Sequence, residues 1–331
     1  MRAVTVPRYG GPEVLEVGDV PTPEPGAGQV AIDVSHAGVN FAEVLARSGS
    51  IPAFSPPFIP GLEVAGTVRN VGEGVSEFRP GQRVCALTVS GGYASVAVAA
   101  ADATYDTERF ADRLSPAQLA ALPTIVPTAL AVCELGAVGD GATVVVEAAA
   151  GGMGSVLGQT ARALGAGMLI GVVGSEDKRG AAAGFGYDHV ILREQLADEL
   201  ARLTDGKGAD VILDGVGGPA RRERLELLAP TGRLVAFGNA SDQPEANLPS
   251  GLMRTTNRAV LGFSITALKA ARPATVRELS CRAFELVESG GVEPAVTREF
   301  PLVQARAAHE LLGSGQSTGK LVLVIEERSA G

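Results

Sequence analysis

VVVEAAAGGMGSVLGQTARALGAG, residues 144–167, decides how this chain is read. It opens on Val144, Val145 and Val146, a run suited to a buried strand, and passes through alanines into a glycine turn. Beyond the turn, Val156, Leu157, Ala161 and Leu164 keep roughly helical spacing, and Gly165 or Gly167 ends the helix. A strand, a tight turn and a helix in this order leave unpaired backbone N–H groups at the helix N-terminus, where a diphosphate can be held. Gly151, Gly152 and Gly154 suit that geometry, since a Cβ would keep a ligand's backbone away. The same glycines also fit an ordinary βα turn, so the surrounding sequence has to decide.

At 331 residues the chain is longer than one core accommodates, which predicts two domains. Its 46% hydrophobic and 20% charged residues are those of a folded globular protein. The net charge is −9 and the cations are scattered, whereas a nucleic-acid partner demands a clustered basic face. The densest basic group, Arg221, Arg222 and Arg224, is expected on the solvated face of a helix. Cys85, Cys133 and Cys281 lie far apart in apolar settings, which predicts buried thiols in a reducing compartment. Residues 1–17 hold no signal-like apolar stretch, and no uninterrupted apolar run reaches transmembrane length. The expectation is a soluble cytoplasmic protein with no membrane partner.

Residues 1–118 read as short strands (3–6, 15–17, 30–34, 64–71, 83–87 and 94–98) separated by Pro and Gly, with one helix near 40–47. This is the pattern of a compact, partly open β-barrel. Ser115 and Pro116 then start a helix as N-cap and first helical residue, followed by a separate short apolar helix at 128–135. From there strands at 143–147, 168–173, 189–192, 211–214 and 234–238 alternate with helices, which predicts a doubly wound parallel sheet. Helices at 275–289 and 302–312 and a final strand at 321–325 do not continue the alternation. They predict a return to the first domain, giving boundaries of 1–118, 119–262 and 263–331.

In a dinucleotide-binding unit an acid about 20 residues beyond the glycines holds the ribose 2′-hydroxyl of NAD. Here the second strand ends in Gly174 and Ser175, with Lys178 beyond them and Arg193 after the next strand. A hydroxyl and two cations around an open glycine suit a 2′-phosphate, which favours NADPH. Glu176 and Asp177 stand between them and oppose a phosphate if they face it. A zinc site needs converging Cys, His or carboxylate ligands, and three dispersed cysteines with His36, His189 and His309 do not supply a set.

Several motifs in one order now carry a family resemblance: AGVNFAEVLARSG (37–49), PGLEVAGTVRNVGEGVSEFRPGQRV (60–84), AAAGGMG (148–154), GSEDK (174–178), RLVAFGNAS (233–241) and TGKLVLVI (318–325). The chain resembles the zinc-free, zeta-crystallin-like quinone oxidoreductases among the medium-chain dehydrogenases/reductases, nearly end to end. The resemblance implies a GroES-like partly open β-barrel catalytic domain and a Rossmann NADPH-binding domain. Zinc-dependent relatives carry a cysteine at or beside Asn40 and a histidine at Leu62, which implies direct hydride transfer without a Lewis acid. It further implies that Asn40 and Thr128 lie beside the nicotinamide. Gly151, Gly152, Met153 and Gly154 would hold the diphosphate, and Gly174, Ser175, Lys178 and Arg193 the adenosine 2′-phosphate end. Phe237, Gly238, Asn239, Phe263 and Ser264 would surround the nicotinamide ribose and ring, and Lys320 would reach toward the 2′-phosphate.

Two departures from the family pattern bear on the chemistry. Ile51 stands where relatives carry a tyrosine able to give up a proton, so water or the substrate's own acidity must complete the reduction. Glu43 replaces the usual aspartate, and it also fits a charge on the helix surface. The apolar stretch 51–60, with Ile51, Phe54 and Phe58, suits an aromatic or bulky substrate, or else a rigid proline-rich loop with core-facing rings. The readings left open are a quinone reductase, a reductase of α,β-unsaturated ketones of the enoyl or alkenal type, polyketide-like substrates included, and a noncatalytic NADPH-binding protein. A homodimer joined through the strand near 259–265 is implied by the resemblance.

Overall fold

The computed structural model describes residues 1–325. The described chain divides into two compact units, 1–125 with 269–281 and 294–325, and 126–268 with 282–293. The sequence reading put the first break at 118/119, in front of a new helix. The structure instead has one helix, Pro116–Leu135, and the chain changes units inside it. Ser115 caps this helix reciprocally with Gln118, their N–H groups bonding to each other's side chains at 3.0 and 3.2 Å. Pro123 and Pro127 lack backbone donors and by themselves disfavour a continuous helix. Burial of nearly every residue from Leu119 to Cys133 holds the helix continuous instead. By length and composition it could cross a membrane, and 83% of its most apolar 18-residue window is buried within the protein, as in a core helix.

In the first unit the strands are β1 (Arg2–Thr5), β2 (Glu16–Asp19), β3 (Gln29–Val39), β4 (Glu63–Val71), β5 (Arg83–Leu87), β6 (Val96–Ala100) and β7 (Thr104–Asp106). In the second they are β8 (Thr143–Val146), β9 (Met168–Val173), β10 (His189–Leu192), β11 (Ala209–Asp214), β12 (Leu228–Ala236) and β13 (Ala259–Gly262). The chain then returns to the first unit with β14 (Val296–Pro301) and β15 (Lys320–Val324).

The first unit's seven-stranded sheet runs β14-β15-β3-β4-β5-β7, with β6 also paired to β3. Strand β3 therefore takes three partners, and register shifts against β4 at Ala31/Ile32 and Val34/His36 bend it as barrel closure requires. Its core includes Val30, Ile32, Val64, Val84, Leu321 and Leu323, which alternate along the strands as period-2 burial dictates. The second unit's sheet is all parallel in the order β10-β9-β8-β11-β12-β13. This is the doubly wound order, and its direction of winding reverses between β8 and β11, where ligands of such sheets bind.

The return is not continuous, as the sequence reading had it. Residues 282–293, the C-terminal half of the helix Pro273–Glu288 and the short segment after it, belong to the second unit. There Arg282 pairs with Glu134 at 2.8 Å, and Gln159 exchanges hydrogen bonds with the Glu293 backbone at 2.9 and 3.0 Å. Cys85 and Cys133 are buried, as expected, but Cys281 is exposed because it falls on the outer face of that helix.

Candidate active site

The glycine turn follows β8 directly. Ala148 takes a left-handed conformation, Gly151 caps the helix Gly152–Ala163, and the turn closes through Gly151 N–H to Ala148 O at 2.9 Å. The glycines do different work. A Cβ on Gly154 would lie 2.2 Å from Ala149 O, so the helix could not approach its own strand, whereas one on Gly151 would meet only Ala148 O at 3.3 Å. Gly154 is thus demanded by packing, whereas the space around Gly151 is not closed by it.

Past β9, Gly174, Ser175, Leu192, Arg193, Ala220 and Arg224 line a cavity of about 580 Å³. A Cβ on Gly174 would come 3.9 Å from Arg193 Nη2, which places the guanidinium over the open glycine. Lys178 lies close enough that burial first, and then the Arg193 charge, lower its affinity for a proton. Glu176 lines the same cavity, together with Glu194 and Glu223, and pairs with Arg179 at 3.1 Å, so acids as well as cations face this space. Beneath the cavity Glu147 is buried, with Oε1 accepting from Arg224 Nε and Oε2 at 3.7 Å from Arg193 Nε.

Two further loops leave the C-terminal ends of β11 and β12. Asp214 Oδ1 accepts from the N–H groups of Val216 (2.8 Å) and Gly217 (3.0 Å), and Oδ2 accepts from Arg221 Nε (2.7 Å). Arg221 also donates to Gly238 O at 2.8 Å and pairs with Glu245. Phe237, Gly238 and Asn239 follow β12, and Phe263 and Ser264 follow β13, with Phe263 N–H bonded to Ala236 O at 2.9 Å. Thr128, in the same unit, has a buried hydroxyl with no protein partner. The expected solvated basic face is therefore wrong for Arg221 and Arg224. Both are buried because Asp214 and Glu147, at strand ends, draw them inward.

The first unit holds a buried polar cluster that the sequence reading did not assemble. Lys320 Nζ lies 2.7 Å from Glu63 Oε1 and donates to Asn40 Oδ1. Asn40 Nδ2 donates to Glu63 Oε1 at 3.1 Å, and the Thr124 N–H, between the two helix prolines, donates to Glu63 Oε2 at 2.8 Å. Glu43 completes a capping box with Asn40 and accepts from the Leu62 N–H at 2.9 Å. It is buried, not on a helix surface as its sequence setting allowed, because it turns back to cap its own helix. Burial pushes its carboxyl up to about 7, against the opposing pull of the Lys320 ammonium. Lys320 was expected to reach a 2′-phosphate; its ammonium is committed to Glu63 and Asn40 instead.

In the 51–60 stretch, Phe54 and Phe58 pack with ring centroids 5.5 Å apart. Phe58 also packs against the unit's core and bridges Val6, so this ring faces inward, while Ile51 and Phe54 stay half-buried. Tyr9, missed by the sequence reading, donates from its hydroxyl to Phe54 O at 2.6 Å and holds the loop.

Comparison with known proteins accords with this geometry. Residues 26–109 match the alcohol dehydrogenase GroES-like domain family, and residues 185–323 the zinc-binding dehydrogenase family. The chain is 35% identical to the quinone oxidoreductase of Rattus norvegicus, covering 98% of each. It is 32% identical to the 2-haloacrylate reductase of a Burkholderia species, over 97% of this chain and 98% of that one. The crystal structure of the Escherichia coli quinone oxidoreductase complexed with NADPH superposes with a TM-score of 0.90 at 30% identity, covering 98% of this chain and all of that one. Fold and site define a medium-chain dehydrogenase/reductase. Within that class, the chain belongs to the quinone oxidoreductase family. The metal in the matched family's description does not fit these residues: among the described residues no group of three or more His, Cys, Asp or Glu could hold an ion, and Asn40 and Leu62 offer no zinc ligand.

Proposed function

We propose that the protein is an NADPH-dependent reductase that transfers hydride to a quinone without a metal. The observation that supports this reading is the Arg193 guanidinium over the open Gly174, with Lys178 near enough to feel its charge, where the strand itself ends in no acid. Gly151, Gly152 and Met153 present the helix N-terminus to the diphosphate, and the buried, unpartnered Thr128 hydroxyl is available to the nicotinamide end. Bound NADPH supplies the hydride. The second unit orients it with the loops after β12 and β13.

Reduction of an activated C=C bond is the second reading, favoured by the similarity to a 2-haloacrylate reductase. NADPH oxidation with 1,4-benzoquinone or 9,10-phenanthrenequinone, compared with 2-alkenones, separates the two. Turnover of quinones is expected, turnover of alkenones alone overturns the quinone reading, and NADPH binding without turnover of either leaves a noncatalytic protein. Lys178→Ala is expected to weaken NADPH relative to NADH by roughly 1–3 kcal/mol, the size of a charge-assisted contact. An unchanged ratio of dissociation constants removes Lys178 from the 2′-phosphate site.

We also propose a cytoplasmic homodimer. Strand β13 is one of the two edges of its sheet, with Ala259, Val260 and Leu261 half-buried, and such an edge can pair with its own copy across a twofold axis. Fractionation followed by sedimentation tests both points: pelleting with membranes overturns the location, and a monomer mass overturns the dimer.

A further inference from the structure

We propose that Arg221 is the positioning residue for the nicotinamide-side wall of the cofactor site. The inference rests on the NADPH reading above and goes beyond it by assigning the wall's shape to one guanidinium. Three of its nitrogens reach three separate places: Nε to Asp214 at the end of β11, Nη2 to Gly238 O after β12, and Nη1 to Glu245 further along that loop. The other oxygen of Asp214 holds the Val216 and Gly217 N–H groups, so both loops depend on one buried ion pair.

The loops are also joined directly, by Ala240 N–H to Gly215 O at 3.1 Å and Ser241 N–H to Val216 O at 2.8 Å. Their approach is close: Gly217 has φ +70°, and a Cβ there would lie 2.7 Å from Asn239 Oδ1 and 3.0 Å from Arg221 Nη2. A planar fork with fixed donor directions can serve three acceptors at once, which a lysine ammonium on a flexible stem cannot do in the same geometry. Phe237, Gly238 and Asn239 therefore take their position from Arg221, whose donors all go to protein acceptors.

Calorimetric titration with two probes tests this. NADPH spans the whole site, and 2′,5′-ADP occupies only the adenosine 2′-phosphate end. In Arg221→Lys, which keeps the charge beside Asp214, the dissociation constant for NADPH is expected to rise about tenfold, while that for 2′,5′-ADP stays within about twofold. Glu245→Gln leaves the buried Arg221–Asp214 pair intact and is expected to raise the NADPH constant about threefold in the same sense, so the test survives if Arg221→Lys fails to fold. Equal weakening of both probes in the folded variant marks a merely structural role and overturns the proposal, as does unchanged NADPH binding in Glu245→Gln when Arg221→Lys is unfolded. Wild-type protein that binds neither probe removes the NADPH reading itself, and this proposal with it.

Discussion

Lys320→Met is expected to destabilise the protein by about 3–5 kcal/mol, the loss expected when one partner of a buried ion pair is removed and the other charge is left behind. Lys320 and Glu63 are 2% and 0% exposed and 2.7 Å apart, so water cannot replace the lost ammonium. The remaining partners of Glu63, the Asn40 amide and the Thr124 N–H, are neutral donors and do not balance a full charge. Lys320→Met combined with Glu63→Gln removes both charges and is expected to recover most of the loss. Urea unfolding followed by circular dichroism reads the effect, since the chain has no tryptophan. A loss below about 1 kcal/mol in the single variant would show that the pair is solvated and the cluster open.

The second large effect depends on pH. The Glu43 carboxyl is raised to about 7 when folded, mainly by burial, from an ordinary value of 4.5. A raised carboxyl favours the folded state only while it keeps its proton. Below pH 4.5 both states are protonated and Glu43 carries no penalty; between there and about 7 the unfolded chain ionises first, and the folded state loses ground. The penalty is complete above about 7 and amounts to about 3 kcal/mol. Glu43→Gln cannot ionise and keeps an oxygen for the Leu62 N–H. Its stability relative to wild type is therefore expected to rise by about that amount between pH 4.5 and 8. A pH-independent difference would mean that Glu43 ionises as freely in the folded protein as in water.

How far this was legible from sequence depends on the range of the interactions. The glycine turn and the parallel alternation are local signals, and β9 and β10 fall where their apolar runs begin and end. The helix Pro116–Leu135 was misread because two prolines are a local breaking signal, overridden by burial that only the folded chain supplies. Arg221 and Arg224 carry no local mark that separates them from Arg222, which is exposed on the same helix. Their partners lie 7 and 77 residues away, and only the sheet brings them together. The cluster around Asn40 has the same character: Glu43 was within reach of a local capping argument, but Lys320 lies 280 residues from Asn40.

The pairing of β15 with β3 also bears on the order in which the protein is made. Every strand of the second sheet lies between Thr143 and Gly262, so that sheet can form while the C-terminal segment is still being synthesised. The first sheet cannot. Its middle needs residues 320–324 laid antiparallel to β3, and the same late strand delivers Lys320 to Glu63 and Asn40. Until those residues emerge from the ribosome, the Glu63 carboxylate lacks the Lys320 ammonium, and strand β3 waits on a strand made much later.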